Sequence, residues 1–427
     1  MAKVITTELQ HSGASAANVT LDSSKNVTCE NNLQVDGNVT VTGTLPADKL
    51  TGNLHAISGA SLTGISSPLS FRNLIINGAM QVAQRGTSST TSGYGSLDRW
   101  KPGWGGADEA ITHAQHALTS SDTGPWAKGF RNSLHLTNGN QTSGAGAADY
   151  LEILYTVEAQ DMANSGWDYT SASSNITISF WAQASVAQTY YVYLQSLDGT
   201  AQLYAFSFAL SANTWTKVTK TIPGAANVAF DDNNGGGLRI GIVPFYGTDY
   251  TTSGFTLNTW AAQTGSNMMP DMTSTWWTTN DATFEITGVQ LEVGDTATDF
   301  EHRSYGEELA RCQRYYYMQE GDTNDYMCTS MAKNGAALYF FFNLPVPMRT
   351  YPSITGNASD VRHFSSSSSD DFASSGLVLS HYNTTYYFGN GQTTTVLYYE
   401  GANASGGQGG MMQCQENGVK LQFSAEL

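Results

Sequence analysis

From residue 133 onward the chain alternates apolar and polar positions. SLHLTN (133–138) sets Leu134 and Leu136 against polar neighbours, and YLEILYTV (150–157) puts Leu151, Ile153, Tyr155 and Val157 on one side. NITISFWAQA (175–184) sends Ile176, Ile178, Phe180 and Ala182 inward, and Thr177, Ser179, Trp181 and Gln183 outward. QLYAFSFAL (202–210) and GLRIGIV (237–243) repeat the pattern. A period of two marks strands with one buried face. In TFEITGVQLEV (283–293) the phase slips: Phe284 and Ile286 are followed by Val289, Leu291 and Val293. A slip of one residue would turn the core face to water unless a bulge absorbs it, and Gly288 is the residue for that bulge. FRNLIINGAM (71–80) reads as the first strand of this region, turned by Asn77-Gly78, with Asp98-Arg99-Trp100 opening the next element. Helical periodicity is nearly absent. The pattern predicts a mainly β protein whose middle domain, residues 71–304, is a β-sandwich of the jelly-roll kind.

Residues 1–70 have another texture. NVTLDSSK, NVTCENNLQVDG and NVTVTGTL each begin with Asn-Val-Thr, and Leu-Thr-Gly recurs at 50–52 and 62–64. Each unit offers one or two apolar residues, too few for one chain to close a core. Such short β repeats become stable when stacked or wrapped with other chains. The preferred expectation is a homotrimeric β shaft or attachment segment; a flexible polar linker is the other reading. After residue 304, YGEELARCQRYYYMQ (305–319) predicts one helix, capped by Ser304 or Gly306, with Glu307 and Glu308 at its N-terminus and a Glu307–Arg311 pair. AALYFFFNLPVPMRTYPSITGN (336–357) and TTTVLYYEGA (393–402) predict further strands, and the serine run 365–369 a loop, so residues 305–427 form a helix plus a small C-terminal β domain.

Composition narrows the function. Of 427 residues only 13% are charged, while 40% are hydrophobic and 11% aromatic, and the net charge is −17. This is a folded, turn-rich β composition. An acidic surface repels phosphate, so no nucleic-acid partner is expected. No apolar run reaches the roughly 18 residues of a membrane helix, so no membrane insertion is expected, and MAKVITTELQHSG lacks the apolar core of a secretory signal. The four cysteines, at 29, 312, 328 and 414, form no CxxC pair and are expected to be free thiols.

Several separated pieces, NLIINGAMQVAQRG…LDRW, ITISFWAQAS and GVQLEVGDTATDFEHRSYGEELARCQRYY, occur in one order that resembles tail-fibre and related tail proteins of bacteriophages. The resemblance covers about residues 71–350. LPVPMRTYPSIT is similar to the module that often follows the helix in such proteins. The resemblance implies a jelly-roll domain similar to carbohydrate-binding modules, placed after a fibrous segment. It also implies a structural virion protein, made in the host cytoplasm and located in the tail. Its partners would be itself as a homotrimer, other tail or baseplate proteins through residues 1–70, and host-surface polysaccharide. It maps no binding residue.

Residue chemistry supplies the candidates. Sugars stack their C–H faces on exposed indoles, so the glycan-binding candidates are Trp104, Trp126, Trp260, Trp276 and Trp277, all in apparent loops. Trp167 shares that setting, and Trp181, outward on its strand, is expected to be covered by a loop or a neighbouring chain. FDDNNGGGLRI (230–240) makes Asp231 and Asp232 weak metal candidates, though the EF-hand spacing is absent and a plain acidic turn is the preferred explanation. Cys312 with His302 could form a nucleophile–base pair, but Cys312 shares an apolar helix face with Leu309. No metalloprotease motif and no G-x-S-x-G elbow occurs. The expected function is binding without catalysis and without a cofactor. The alternatives are a capsule- or lipopolysaccharide-cleaving tailspike and a passive tail or baseplate component.

Overall fold

The structure, a computed structural model, describes residues 72–334, 337–356, 361–364, 369–371, 394–400 and 409–427, together with three short strands nearer the N-terminus. The chain divides into two compact units, Met1–Ile65 and Ser66–Leu427. In the first, Glu8–Leu9 (β1), Val19–Leu21 (β2) and Val27–Cys29 (β3) form an antiparallel sheet in the order β1-β2-β3. Two of the three Asn-Val-Thr repeats thus open into strands, in register Val19↔Cys29. The third repeat and the Leu-Thr-Gly segments lie outside the described residues.

The second unit holds the sandwich. Its strands are Ser88–Ser89 (β4), Lys101–Gly105 (β5), Thr112–Ala117 (β6), Asn132–Thr137 (β7), Tyr150–Glu158 (β8) and Asn175–Ala184 (β9). They continue with Gln188–Ser196 (β10), Gln202–Leu210 (β11), Thr216–Pro223 (β12), Gly236–Tyr246 (β13), Ala261–Ala262 (β14) and Thr283–Val293 (β15). One sheet runs β12-β9-β15-β7-β6-β4, the other β14-β11-β10-β13-β8-β5, and all neighbours are antiparallel. The alternating side chains meet between them: Ile176, Ile178, Phe180, Leu151, Ile153, Tyr204, Phe206 and Ile240 share one buried cluster. Each large apolar side chain so buried contributes about 1.5–3 kcal/mol.

The bulge falls at Gly288. The β15–β9 register shifts between Thr287 and Gln290, and Gly288 has φ 63°. Phe284, Ile286, Val289 and Leu291 all remain fully buried on either side of it. A Cβ on Gly288 would lie 2.5 Å from the Phe130 ring, so glycine here also makes room for that ring.

Residues 72–87 differ from expectation: they form no strand. Asn77 and Met80 have φ of 59° and 57°, which no ladder accepts. Side-chain bonds replace the ladder. The buried Asn77 amide donates to the carbonyls of Val82 and Asp98, at 2.8 and 2.9 Å, and accepts from the Gln81 and Val82 amides. Two backbone bonds, Leu74 N to Leu291 O and Val289 N to Gly78 O, tie the segment to β15. The turn at Asn77-Gly78 and the element after Trp100, here β5, are as expected.

The helix also ends earlier than its sequence suggests. It spans Tyr305–Gln313, capped by Ser304, which accepts from the Glu307 amide, with Arg311 3.2 Å from Glu307. Tyr316–Gly321 then leaves as a strand, because Tyr316 pairs with Ser424 in a three-stranded sheet with Ser353–Thr355 and Val419–Ser424. A six-stranded sheet completes the C-terminal part, with its own cluster of Leu338, Phe340, Phe342, Met412, Leu421 and Phe423. Cys312, Cys328 and Cys414 are free thiols, and burial pushes the Cys312 thiol far up.

Sandwich and C-terminal part meet in a buried polar knot. Arg99, with φ 72°, bonds Thr156 O and Glu426 Oε2, each at 2.6 Å. Its guanidinium lies 3.5 Å from the Tyr315 ring centroid and 5.1 Å from that of Tyr155. Arg314 forks onto Glu158 at 2.7 and 2.8 Å. Burial opposes the charge of Glu158, but the bonds from Arg314, Tyr315 and Gln160 outweigh it and hold the carboxyl below its usual range. Asp98 goes the other way: burial pushes it up to about 6, against its bonds from Gln84 and the nearby Arg85.

Two measurements check this. Gly288→Ala adds a left-handed alanine, costing about 1–2 kcal/mol, and forces the Phe130 ring aside, costing about 1–3 kcal/mol more; chemical unfolding should show a loss within that sum. For Asp98, the folded carboxyl keeps a proton, between pH 3.8 and about 6, that the unfolded one has released. Stability therefore falls as pH rises through that window, by up to about 3 kcal/mol. Urea midpoints across this range should show the fall in the wild type and not in Asp98→Asn; parallel curves would mean that Asp98 ionises normally.

Candidate functional site

The outward side chains of the β12-β9-β15-β7-β6-β4 sheet build a concavity among the described residues. Strand alternation points Ser179 and Trp181 out of β9, with Lys217 of β12 directly across from Trp181 and Thr287 of β15 on its other side. The bulge lowers the floor at Gly288. The segment between β6 and β7 folds over this face through a 3-10 turn, Trp126–Lys128. It can approach because Gly124, with φ 106°, brings its backbone against Trp181; a Cβ there would stand 2.6 Å from the indole. The segment after β15 returns over the other side and supplies Thr298, Asp299, Phe300 and His302.

Between them lies a pocket of 290 Å³, near the lower end of ligand sites, roughly 300 Å³. Its floor is aromatic. Phe130 meets Phe300 edge-on at 4.9 Å and His302 at 5.1 Å. Trp126, Trp181, Trp215 and Phe300, all partly exposed, pack around buried Phe130 and Leu118. The rim is polar. Lys128 Nζ stands 3.6 Å from Asp299 Oδ1, both largely exposed, and Lys217 is exposed beside Trp181. His302 Nε2 is 2.8 Å from Lys128 O, which joins the two covering segments. Nearby, the Arg131 guanidinium covers the Trp126 ring at 3.7 Å, and Trp215 Nε1 donates to Asp122. Burial opposes the charge of Asp122, but bonds from Thr119 and Trp215 hold its carboxyl below the usual range. Rings below and charged hydrogen-bonding groups above suit a ligand with one apolar face and many hydroxyls.

The sequence candidates divide. Trp126 does not line this pocket: it packs in the cluster around Phe130, next in sequence to the lining residue Ala127, with Arg131 over its ring. Trp104 is half-buried against the sandwich core, its ring 5.9 Å from His113. Trp260 rests on Tyr204 at 5.5 Å and donates to Pro223 O. Trp276 and Trp277 are fully buried in the helical turn Thr275–Thr278. They fill the core, and their indole N–H groups are spent on Thr283 O and Gly144 O. Neither has a face left for a ligand. Trp167 is likewise buried.

Trp181 is only partly covered by the Gly124 loop and lines the pocket. Phe130 and Phe300 were not singled out by the sequence, and His302 was considered there only as a base for Cys312. The signal for the site lay in an outward Trp181 beside a predicted bulge. Asp231 and Asp232 sit in an exposed turn, bonded to Asn233 and Asn164. His302 faces Lys128 and Phe130, and Cys312 packs with Ile76, Val82 and Tyr315.

The outer face of the other sheet is rich in tyrosine but already occupied. Tyr193 and Tyr246 both donate to Glu152 and are buried under the chain's own Leu257, Met268 and Met269. Burial first pushes both phenols far up, helped next by the Glu152 charge at Tyr193 and by the neighbouring Tyr193, then Glu152, at Tyr246.

No family model matches the chain, and no curated protein matches it. Among solved structures it is similar to the enzymatically active domain of bacteriophage CBA120 tailspike protein 4, at 11% identity and TM-score 0.29. That match covers 52% of this chain and 21% of that one. It is also similar to a putative sugar-binding protein from Bacteroides thetaiotaomicron (13% identity, TM-score 0.28, 52% of this chain and 100% of that one). A third is the family 11 carbohydrate-binding module from Clostridium thermocellum (11%, 0.23, 51% and 98%). Similarity this low leaves the functional reading to this chain's own residues. What the fold and site define is a mainly β protein, a two-sheet sandwich joined to a small β domain, with a ring-floored pocket on one outer face.

Proposed function

We propose that the chain is a structural protein of a phage tail, a trimeric fibre that binds host-surface glycan without cleaving it. The observation that carries this reading is the pocket in which Trp181, Phe130, Phe300 and His302 lie beneath Lys128, Lys217 and Asp299. A stacked ring contact is worth about 0.5–1.5 kcal/mol, so one pocket binds weakly. Three pockets on a common stem act at high effective concentration and multiply that affinity. The repeats of residues 1–70 supply the stem and the tail attachment.

Self-association has a second support. Tyr326, Met331, Phe364 and Met411 are all 38–50% exposed. Phe364 pairs with Met411 across strands, and Tyr326 lies 5.9 Å from Phe364, so they form one apolar face of the C-terminal six-stranded sheet. Patches of this kind mark contact surfaces.

Two measurements test the proposal. Immobilised host polysaccharide should retain the wild type and Trp181→Phe, and bind Trp181→Ala roughly two- to tenfold more weakly, the equivalent of a stacking contact. Equal retention of all three would remove the pocket from the reading, and release of reducing ends would replace binding by cleavage. Light scattering should give three times the chain mass of 45.8 kDa; the mass of one chain would overturn the trimer.

A further inference from the structure

Farther along the same outer face, three strands bring two imidazoles and a carboxylate together. His116 leaves β6, His135 leaves β7 and Glu285 leaves β15, in registers His116↔Ser133 and Glu285↔His135. Strand alternation points all three out of the sheet. One ligand atom from each lies within 4.8 Å of the other two. His116 Nδ1 is 3.1 Å from Glu285 Oε2, and His135 Nδ1 is 2.9 Å from Oε1. The second contact has no hydrogen-bond alignment: His135 Nδ1 is shielded from solvent and has no hydrogen-bond partner. Its other ring nitrogen lies 3.1 Å from Thr137 Oγ1, which fixes the ring and aims Nδ1 at the carboxylate. Ser133 Oγ donates to Glu285 Oε2 at 2.6 Å and orients that group in turn.

We propose that His116, His135 and Glu285 form a binding site for a divalent transition-metal ion, with Zn²⁺ as the expected occupant. Two imidazole nitrogens converging on one carboxylate at close range make a donor set that a divalent cation can share once the rings are neutral. Imidazole nitrogen with one carboxylate suits a borderline ion and not the all-oxygen demands of Ca²⁺. Metal bonds of about 2.0–2.2 Å set ligand atoms roughly 3.3 Å apart around a tetrahedron, and small rotations of the three side chains reach that spacing. Thr137 and Ser133 hold the ligands from behind, as outer partners do in metal sites. His116 is half-exposed, so the remaining position opens to solvent. The ion would tie β6, β7 and β15 together. Glu285 stands three residues before Gly288 on the same strand, so it would also brace the strand that carries the bulge.

The test uses the full-length chain without a histidine tag, stripped by chelator. Zn²⁺ itself is titrated against a chromophoric chelator above the imidazole range, about pH 6.5, with the visible spectrum of Co²⁺ as a second readout. One ion per chain is expected, weakened at least about tenfold in His116→Ala and in His135→Ala, and weakened again on acidification because the imidazoles must be neutral. The Co²⁺ spectrum should show the intense bands of low coordination number. His116→Ala removes a half-exposed ring, and an unchanged melting temperature of the metal-free chain confirms its fold. No binding by the wild type, or binding by both histidine variants as tight as the wild type's, overturns the proposal and leaves a histidine–carboxylate contact.

Discussion

The Arg99 guanidinium, buried between the rings of Tyr155 and Tyr315, holds three distant parts of the chain at one point. It comes from the segment before β5, bonds the backbone of β8 and pairs with Glu426, the next-to-last residue of the sequence. A charge withdrawn from water costs several kcal/mol unless partners replace the solvent. Its own carboxylate, carbonyl and ring partners must therefore be in place before it is tolerated. The surroundings follow the same rule: Asn77 feeds four backbone groups, Glu308 pairs with Arg303, and Arg314 forks onto Glu158. These contacts make the irregular segment 72–87, the helix and the last strand one structure with the sandwich.

The pocket depends on a smaller irregularity. One extra residue in β15 lets both halves of the strand keep their apolar side chains inward. The glycine that allows it leaves a seat for Phe130. Phe130 then organises Phe300, His302 and the surrounding indoles. The same sheet that buries Ile178 and Phe180 on one face thus displays Trp181 on the other. The opposite sheet shows what happens when such a face is covered: its tyrosines turn to Glu152 and to the chain's own methionines.

Strand existence, strand phase and the bulge were legible in the sequence, because a period of two and a glycine at a phase slip follow from local backbone geometry. β11 and β15 span the very runs that the alternation marked, and the helix cap and Glu307–Arg311 pair were readable because they involve neighbours in sequence. Local pattern misled where distant groups compete for the backbone. LIIN looks like a strand, yet the Asn73 side chain, the Tyr155 hydroxyl and remote Glu308 accept the hydrogen bonds of its Ile75, Ile76 and Asn77 amides. YYYMQ looks helical, yet the final strand captures it. Trp276 and Trp277 look like loop indoles and are core. Trp181 looks covered and lines the pocket. The sequence by itself determined which residues turn inward, since burial follows alternation along each strand. Only the tertiary structure decided which outward residues meet. Phe130, Trp181 and His302, or His116, His135 and Glu285, lie far apart along the chain and are neighbours only through the order in which strands pair.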